Sequence, residues 1–342
     1  MMDSKAFISG FSGLELTDDE TRFFADERPW GYIVFARNIE TPGQLSELCA
    51  SLRSVSGRED VPILIDQEGG RVQRLRPPHW TNYPPAAQLG ALYEIDQAKG
   101  LRAAWLLSRL HAFDLLNCGV NVDCLPVLDV PVPGGHDVIG DRAYGTTPEQ
   151  VSAMGRAASD GLLAGGVKPV IKHIPGHGRA GVDSHLELPV VETDRETLMA
   201  QDFAPFGALR DVDMAMTAHV IYTAYDSANP ATTSKIMIDE IIRGHIGFDG
   251  LLMSDDVSME ALSGDFSSRT RAIFGAGCDI VLHCNGIFEQ MQTVARETPE
   301  LTGKAAERAQ QALQSIGKAD DADEAACRAE FDSLMRLVAV SV

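Results

Sequence analysis

Eight short apolar segments recur along the chain: Phe7–Gly10, Tyr32–Ala36, Ile63–Asp66, Val120–Asp123, Lys168–Lys172, Asp213–Ala218, Leu251–Ser254 and Asp279–His283. Their β-branched and aliphatic content and their shortness read as buried strands. Helical patterns separate most of them. Four helix starts carry capping signals, in Thr17 with Glu20, Thr41-Pro42 with Gln44, Thr147-Pro148 with Gln150, and Thr193 with Glu196. Strand and helix alternating eight times predict an α/β fold, a single (β/α)8 TIM-type barrel. After Asn285 the pattern is helical over Glu289–Arg296 and Gly303–Ile316. A polar, acidic stretch, Lys318–Glu324, then leads to a last helix with Phe331, Leu334, Met335 and Val338 on one stripe. These C-terminal helices are expected to pack on the barrel wall. The whole chain, 1–342, is expected to be one catalytic domain, with the barrel over about 1–316 and a helical extension over 317–342.

The polar residues support the barrel more than the strand count does. Asp66, Asp123, Lys172, His173, His219, Asp255 and Asn285 all fall at or just past the carboxyl ends of the expected strands. In a barrel those ends share one face, where active sites lie. An open doubly wound sheet is the alternative, but no glycine-rich phosphate turn follows the first strand.

Charge and composition narrow the partners. Lysine plus arginine total 29 against 49 aspartate plus glutamate, a net of −20, which opposes binding to nucleic acid or to an anionic membrane surface. No apolar run is long enough to span a bilayer, and the first residues lack the basic start and apolar centre of a signal peptide. A cytoplasmic protein is expected. Cys49, Cys118, Cys124, Cys278, Cys284 and Cys327 show no paired spacing, so reduced core thiols are expected.

The densest chemistry lies between Lys172 and His185, where fourteen consecutive residues hold three histidines, an aspartate, a lysine and three glycines. Lys172 and His173 end a strand, and a loop begins at Pro175. Gly176, Gly178 and Gly181 would free that loop's backbone to turn and to move. Asp183 can hold one ring nitrogen of His185 and leave the other for proton transfer, an acid/base dyad. His173, His177 and His185 could instead ligate zinc, or the run could be a polar loop without chemistry.

This run resembles the Lys-His-x-Pro-Gly-His-Gly…Asp-Ser-His signature of family 3 glycoside hydrolases, in particular the bacterial β-N-acetylglucosaminidases of cell-wall recycling. Three further stretches resemble that family in the same order: Asp-Gln-Glu-Gly-Gly-Arg-Val-Gln-Arg (66–74), Gly-Asp-Arg-Ala-Tyr-Gly (140–145) and Ser-Asp-Asp-Val-Ser-Met (254–259). Ile174 departs from it, standing where phenylalanine is common. Many members carry a second, sandwich domain, and this chain is expected to lack one.

A carboxylate after the buried Leu251-Leu252-Met253 is costly unless paired or used, which suits a nucleophile at Asp255 or Asp256. The resemblance implies Asp255, with Asp256 supporting it or capping a helix. It also implies that His185, oriented by Asp183, replaces the usual acid/base carboxylate. Asp66, Arg74, Arg142, Lys172 and His173 would hold the N-acetylglucosamine ring. Read singly, Glu68, Arg71 and Arg74 could be a surface ion-pair set, and Arg142 could merely pair with Asp141. Asp129 and the Pro131–Gly135 segment read as loop architecture, and His219 as a satisfied core histidine. The implied activity is a retaining exo-β-N-acetylglucosaminidase acting on GlcNAc-1,6-anhydro-muropeptides, monomeric, with no cofactor and no metal. A β-glucosidase or glycosyl phosphorylase of the same family is the near alternative, and a zinc-dependent hydrolase the distant one.

Overall fold

The computed structural model describes residues 3–340 apart from His185. All eight expected strands are present. We number them β1 Lys5–Ser9, β2 Pro29–Val34, β3 Ile63–Ile65, β4 Val122–Asp123, β5 Lys168–Pro169, β6 Ile171–Ile174, β7 Met214–Thr217, β8 Leu251–Asp256 and β9 Ile280–His283. The expected fifth strand is split at Val170 into β5 and β6. The sheet runs β5-β4-β3-β2-β1-β9-β8-β7-β6, with every neighbouring pair parallel. Its two margins are therefore consecutive pieces of one segment. That segment joins them: Lys172 N–H donates to the Pro126 carbonyl at 3.1 Å, and the Lys172 carbonyl accepts from Leu128 N–H at 2.7 Å. The result is a nearly closed parallel barrel ringed by helices.

Most helix starts follow the sequence. Thr17 and Glu20 form a full capping box, and Thr41 and Thr147 accept from Gln44 N–H and Gln150 N–H at 3.1 and 3.3 Å. The fourth cap is one residue later than expected. Asp194, not Thr193, accepts from Thr197 N–H at 2.9 Å, because a carboxylate there bonds both the amide and the hydroxyl of Thr197. The last helix, Glu324–Val340, lays Phe331, Leu334, Met335 and Val338 against the helices Ala86–Ile95 and Gln97–Asn117. All six cysteines are buried and unbridged.

Candidate active site

At the carboxyl end of β3 the chain folds back in a two-strand hairpin, Gln67–Gly69 against Val72–Gln73. Gly69 (φ 98°) and Gly70 (φ 57°) make the turn, and a Cβ on Gly69 would lie 2.4 Å from the Pro84 carbonyl oxygen. Buried Gln67 ties the hairpin together, its Oε1 accepting from Arg74 N–H and Leu75 N–H at 2.9 and 3.0 Å. Asp123, fully buried at the end of β4, accepts from Gln67 N–H at 3.0 Å. Burial pushes the Asp123 carboxyl well above the usual range.

The hairpin aims two carboxylates at a common set of cations. Asp66 accepts from Arg74 Nη2 and from Lys172 Nζ, both at 2.9 Å. Glu68 takes Arg142 in a two-pronged pair at 2.8 and 2.8 Å, and its Oε1 is 2.7 Å from Lys172 Nζ. Lys172 and Glu68 are only 2 % and 3 % exposed, so this is not a surface ion-pair set. Arg142 pairs with Glu68 instead of Asp141, which bonds Arg71 at the surface. Burial alone would raise both carboxyls. Lys172 and Arg74 overcome it and hold Asp66 far below its usual range, while Arg142 and Lys172 bring Glu68 down to about 2. Burial works against the Lys172 ammonium too, and Asp66 and Glu68 overcome it, keeping the side chain charged.

His173 lies inside β6. Asp129, expected to be architectural, instead organises the histidine run: it accepts from His173 Nδ1–H at 2.6 Å, His173 N–H at 3.2 Å and His177 N–H at 2.6 Å. His177 Nε2 lies 3.1 Å from the Ser184 hydroxyl, and burial followed by the neighbouring His173 lowers the His177 imidazole to about 4. Two of the three loop glycines serve packing more than freedom, while Gly181 stands in open space. A Cβ on Gly178 would sit 1.9 Å from the Val130 carbonyl oxygen, and Gly176 (φ 141°) abuts Asp202. Arg179 is bonded to Asp202 at 2.7 Å and Ala180 is buried, so this part of the loop is anchored. Half-buried Asp183 follows, its carbonyl accepting from Leu186 N–H and Glu187 N–H at 2.9 and 3.0 Å. The expected acid/base residue, His185, lies outside the described residues.

Asp255 and Asp256 end β8. Asp255 N–H donates to Thr217 Oγ1 at 3.3 Å, and Asp256 N–H donates to Asp255 Oδ1 at 2.8 Å. The Asp256 carboxylate itself accepts from Ser258 N–H at 3.0 Å and Cys284 N–H at 3.1 Å, which makes it a structural partner of the next strand. Asp66, Arg74, Arg142, Lys172, His173 and Asp255 all line one cavity of about 340 Å³ at the carboxyl ends of the strands. Ser184 lines it as well, so the segment carrying Asp183 reaches the same cavity. A larger cavity of about 660 Å³, between residues 81–85 and the last helix, holds none of these groups.

What this arrangement can do is bind a small, neutral, hydroxyl-rich molecule. Hydroxyls need donors and acceptors together, and the cavity supplies guanidinium, ammonium and carboxylate groups already fixed by one another. Among the described residues no group of three or more His, Cys, Asp or Glu is placed to hold a metal ion. His173 and His177 each have a ring nitrogen engaged, with Asp129 and with Ser184.

Residues 13–316 match the profile described as "Glycosyl hydrolase family 3 N terminal domain". The chain is 38 % identical over 314 residues to the β-hexosaminidase of Aromatoleum aromaticum, covering 91 % of this chain and 87 % of that protein. It is 41 % identical over 280 residues to the β-hexosaminidase of Bordetella parapertussis, covering 80 % and 78 %. The crystal structure of native NagZ from Neisseria gonorrhoeae superposes with a TM-score of 0.84 at 32 % identity, over 99 % of this chain and 98 % of that one. That gonococcal protein has also been solved with N-trifluoroacetyl-D-glucosamine and with a zinc ion.

Proposed function

The chain belongs to glycosyl hydrolase family 3 and is a glycoside hydrolase of the β-hexosaminidase type, and from that premise we propose a retaining exo-β-N-acetylglucosaminidase. Its substrate is the terminal, non-reducing N-acetylglucosamine of 1,6-anhydro-muramyl peptides, and its setting cytoplasmic cell-wall recycling by a monomer. The observation that carries the reading is the convergence, in one cavity, of Asp255 with the interlocked Asp66, Arg74 and Lys172 and with Arg142, which Glu68 holds from behind. The gonococcal relative's complex with an N-acylated glucosamine supports the choice of sugar.

Asp255 attacks the anomeric carbon as the glycosidic C–O bond breaks, and its carboxylate becomes a glycosyl ester. His185, oriented by Asp183, gives its proton to the departing oxygen. It then removes a proton from water, which cleaves the ester with net retention. Asp66, Arg74, Arg142, Lys172 and His173 hold the sugar ring. Incubation with a 2-deoxy-2-fluoro or 5-fluoro glycosyl donor, followed by peptide mapping, should find the sugar on Asp255. Label on another residue, or none under turnover conditions, overturns the mechanism.

A further inference from the structure

We infer that Thr217, Thr232 and His219 form a closed hydrogen-bonded ring that positions Asp255, so that the buried histidine is a positioning residue for the nucleophile. This rests on the assignment of Asp255 just given. The distances run without a gap. Asp255 N–H lies 3.3 Å from Thr217 Oγ1, which is 2.8 Å from Thr232 Oγ1. Thr232 Oγ1 is 2.7 Å from His219 Nδ1, and His219 Nε2 is 3.0 Å from the Asp256 carbonyl oxygen. All three side chains are fully buried, and they come from β7, the residues just after it, and the turn Ala231–Thr233.

Proton bookkeeping gives the ring one direction. A carbonyl can only accept, so His219 Nε2 carries the hydrogen given to Asp256. Burial favours the neutral imidazole; of the charged or titratable groups facing it, Asp255 and Asp256 oppose this and His173 adds to it. Nδ1 is then an acceptor and takes the Thr232 hydroxyl hydrogen. Thr217 therefore donates to Thr232, and its own lone pair receives Asp255 N–H. The Ala218 carbonyl oxygen, 3.0 Å from Thr232 Oγ1, shares that hydrogen with Nδ1, so in either case Thr232 has none to give to Thr217. The ring thus grips the amide at one end of the Asp255-Asp256 dipeptide and the carbonyl at the other. Between those two points Asp256 N–H fixes Asp255 Oδ1 at 2.8 Å. The carboxylate that must meet the anomeric carbon is aimed from behind by groups that never touch sugar.

The test replaces the central hydroxyl without changing its volume much, by Thr232→Val, with Thr232→Ser as the conservative variant. The rate at which a 2-deoxy-2-fluoro donor labels Asp255 should fall roughly tenfold or more in the valine variant, with KM for an aryl N-acetylglucosaminide little changed, and should return in the serine variant. Labelling at the wild-type rate in Thr232→Val, even with a lowered melting temperature, reduces the ring to a folding element and overturns the proposal. A rise in KM alone also overturns it. If the wild type is not labelled on Asp255, the nucleophile assignment itself fails. Nitrogen-15 shifts of His219 in the wild type give a second reading that needs no variant to fold. They should show neutral imidazole protonated at Nε2 between about pH 5.5 and 8; an imidazolium there refutes the ring.

Discussion

Glu68 offers the sharpest quantitative test. Around it three cations, Arg74, Arg142 and Lys172, face two carboxylates, Asp66 and Glu68, so the cluster has one excess positive charge. Glu68→Gln keeps the shape and raises the excess to two, with Lys172 and Glu68 only 2 % and 3 % exposed. Removing one member of a buried ion pair typically costs about 3–5 kcal/mol. The acid side gives an independent figure. Glu68 ordinarily titrates at 4.5 and is brought down to about 2 in the fold, a difference worth roughly 3 kcal/mol of stability. Because the folded value is the lower one, that stability is fully present above about 4.5 and is lost as pH falls toward about 2. Urea unfolding at neutral pH should therefore show Glu68→Gln less stable by about 3 kcal/mol, and the gap between wild type and variant should narrow progressively below about pH 4.5. Lys235→Gln, which breaks an exposed pair with Asp239, is the control and should cost under about 1 kcal/mol. A Glu68→Gln protein within about 1 kcal/mol of wild type, or a gap that does not change between about pH 5 and 3, would refute the reasoning.

His185→Ala should cripple cleavage of poor leaving groups far more than of activated aryl ones, and equal losses on both would remove the acid role. Asp129→Asn weakens three hydrogen bonds at once and should raise KM and lower kcat by about tenfold in kcat/KM, measured with an aryl N-acetylglucosaminide; unchanged kinetics would return Asp129 to architecture. Activity should survive exhaustive chelation, and its loss with recovery on added zinc would favour the metal-dependent alternative. If the base is His185 and not a carboxylate, phosphate should be able to replace water in the second step; a glycosyl phosphate should then appear at high phosphate, and its absence by mass spectrometry ends that idea.

The strands were legible because each is a short apolar run, most with a polar residue at or just past the end; Asp66 and Asp255 stand at such ends as expected, while Lys172 and His173 fall inside β6, which runs on to Ile174. Glu68 was not, because its meaning depends on the hairpin that follows. Along an extended chain Glu68, Arg71 and Arg74 look like neighbours that would pair with one another. The turn at Gly69 and Gly70 instead sends Glu68 to Arg142 and Arg74 to Asp66, partners 74 and 8 residues away. Buried Gln67 and Gln73, rarely placed in a core without a task, were the available signal. Asp129 sits 44 residues before His173, and only barrel closure brings them together. Glycines at 176 and 178 looked like hinges because a sequence shows a missing side chain but not the backbone pressed against it. The shift from Thr193 to Asp194 is of a different kind, since two adjacent residues were both competent caps and local geometry chose between them.

The interrupted strand at Val170 has a consequence for how the protein fails. The few residues that weld the two margins of the sheet also present Lys172 and His173 to the cavity. Loosening that weld should displace Lys172 and His173 together, and with them one wall of the cavity. Closure of the sheet and the shape of the cavity therefore stand or fall on the same short run of backbone.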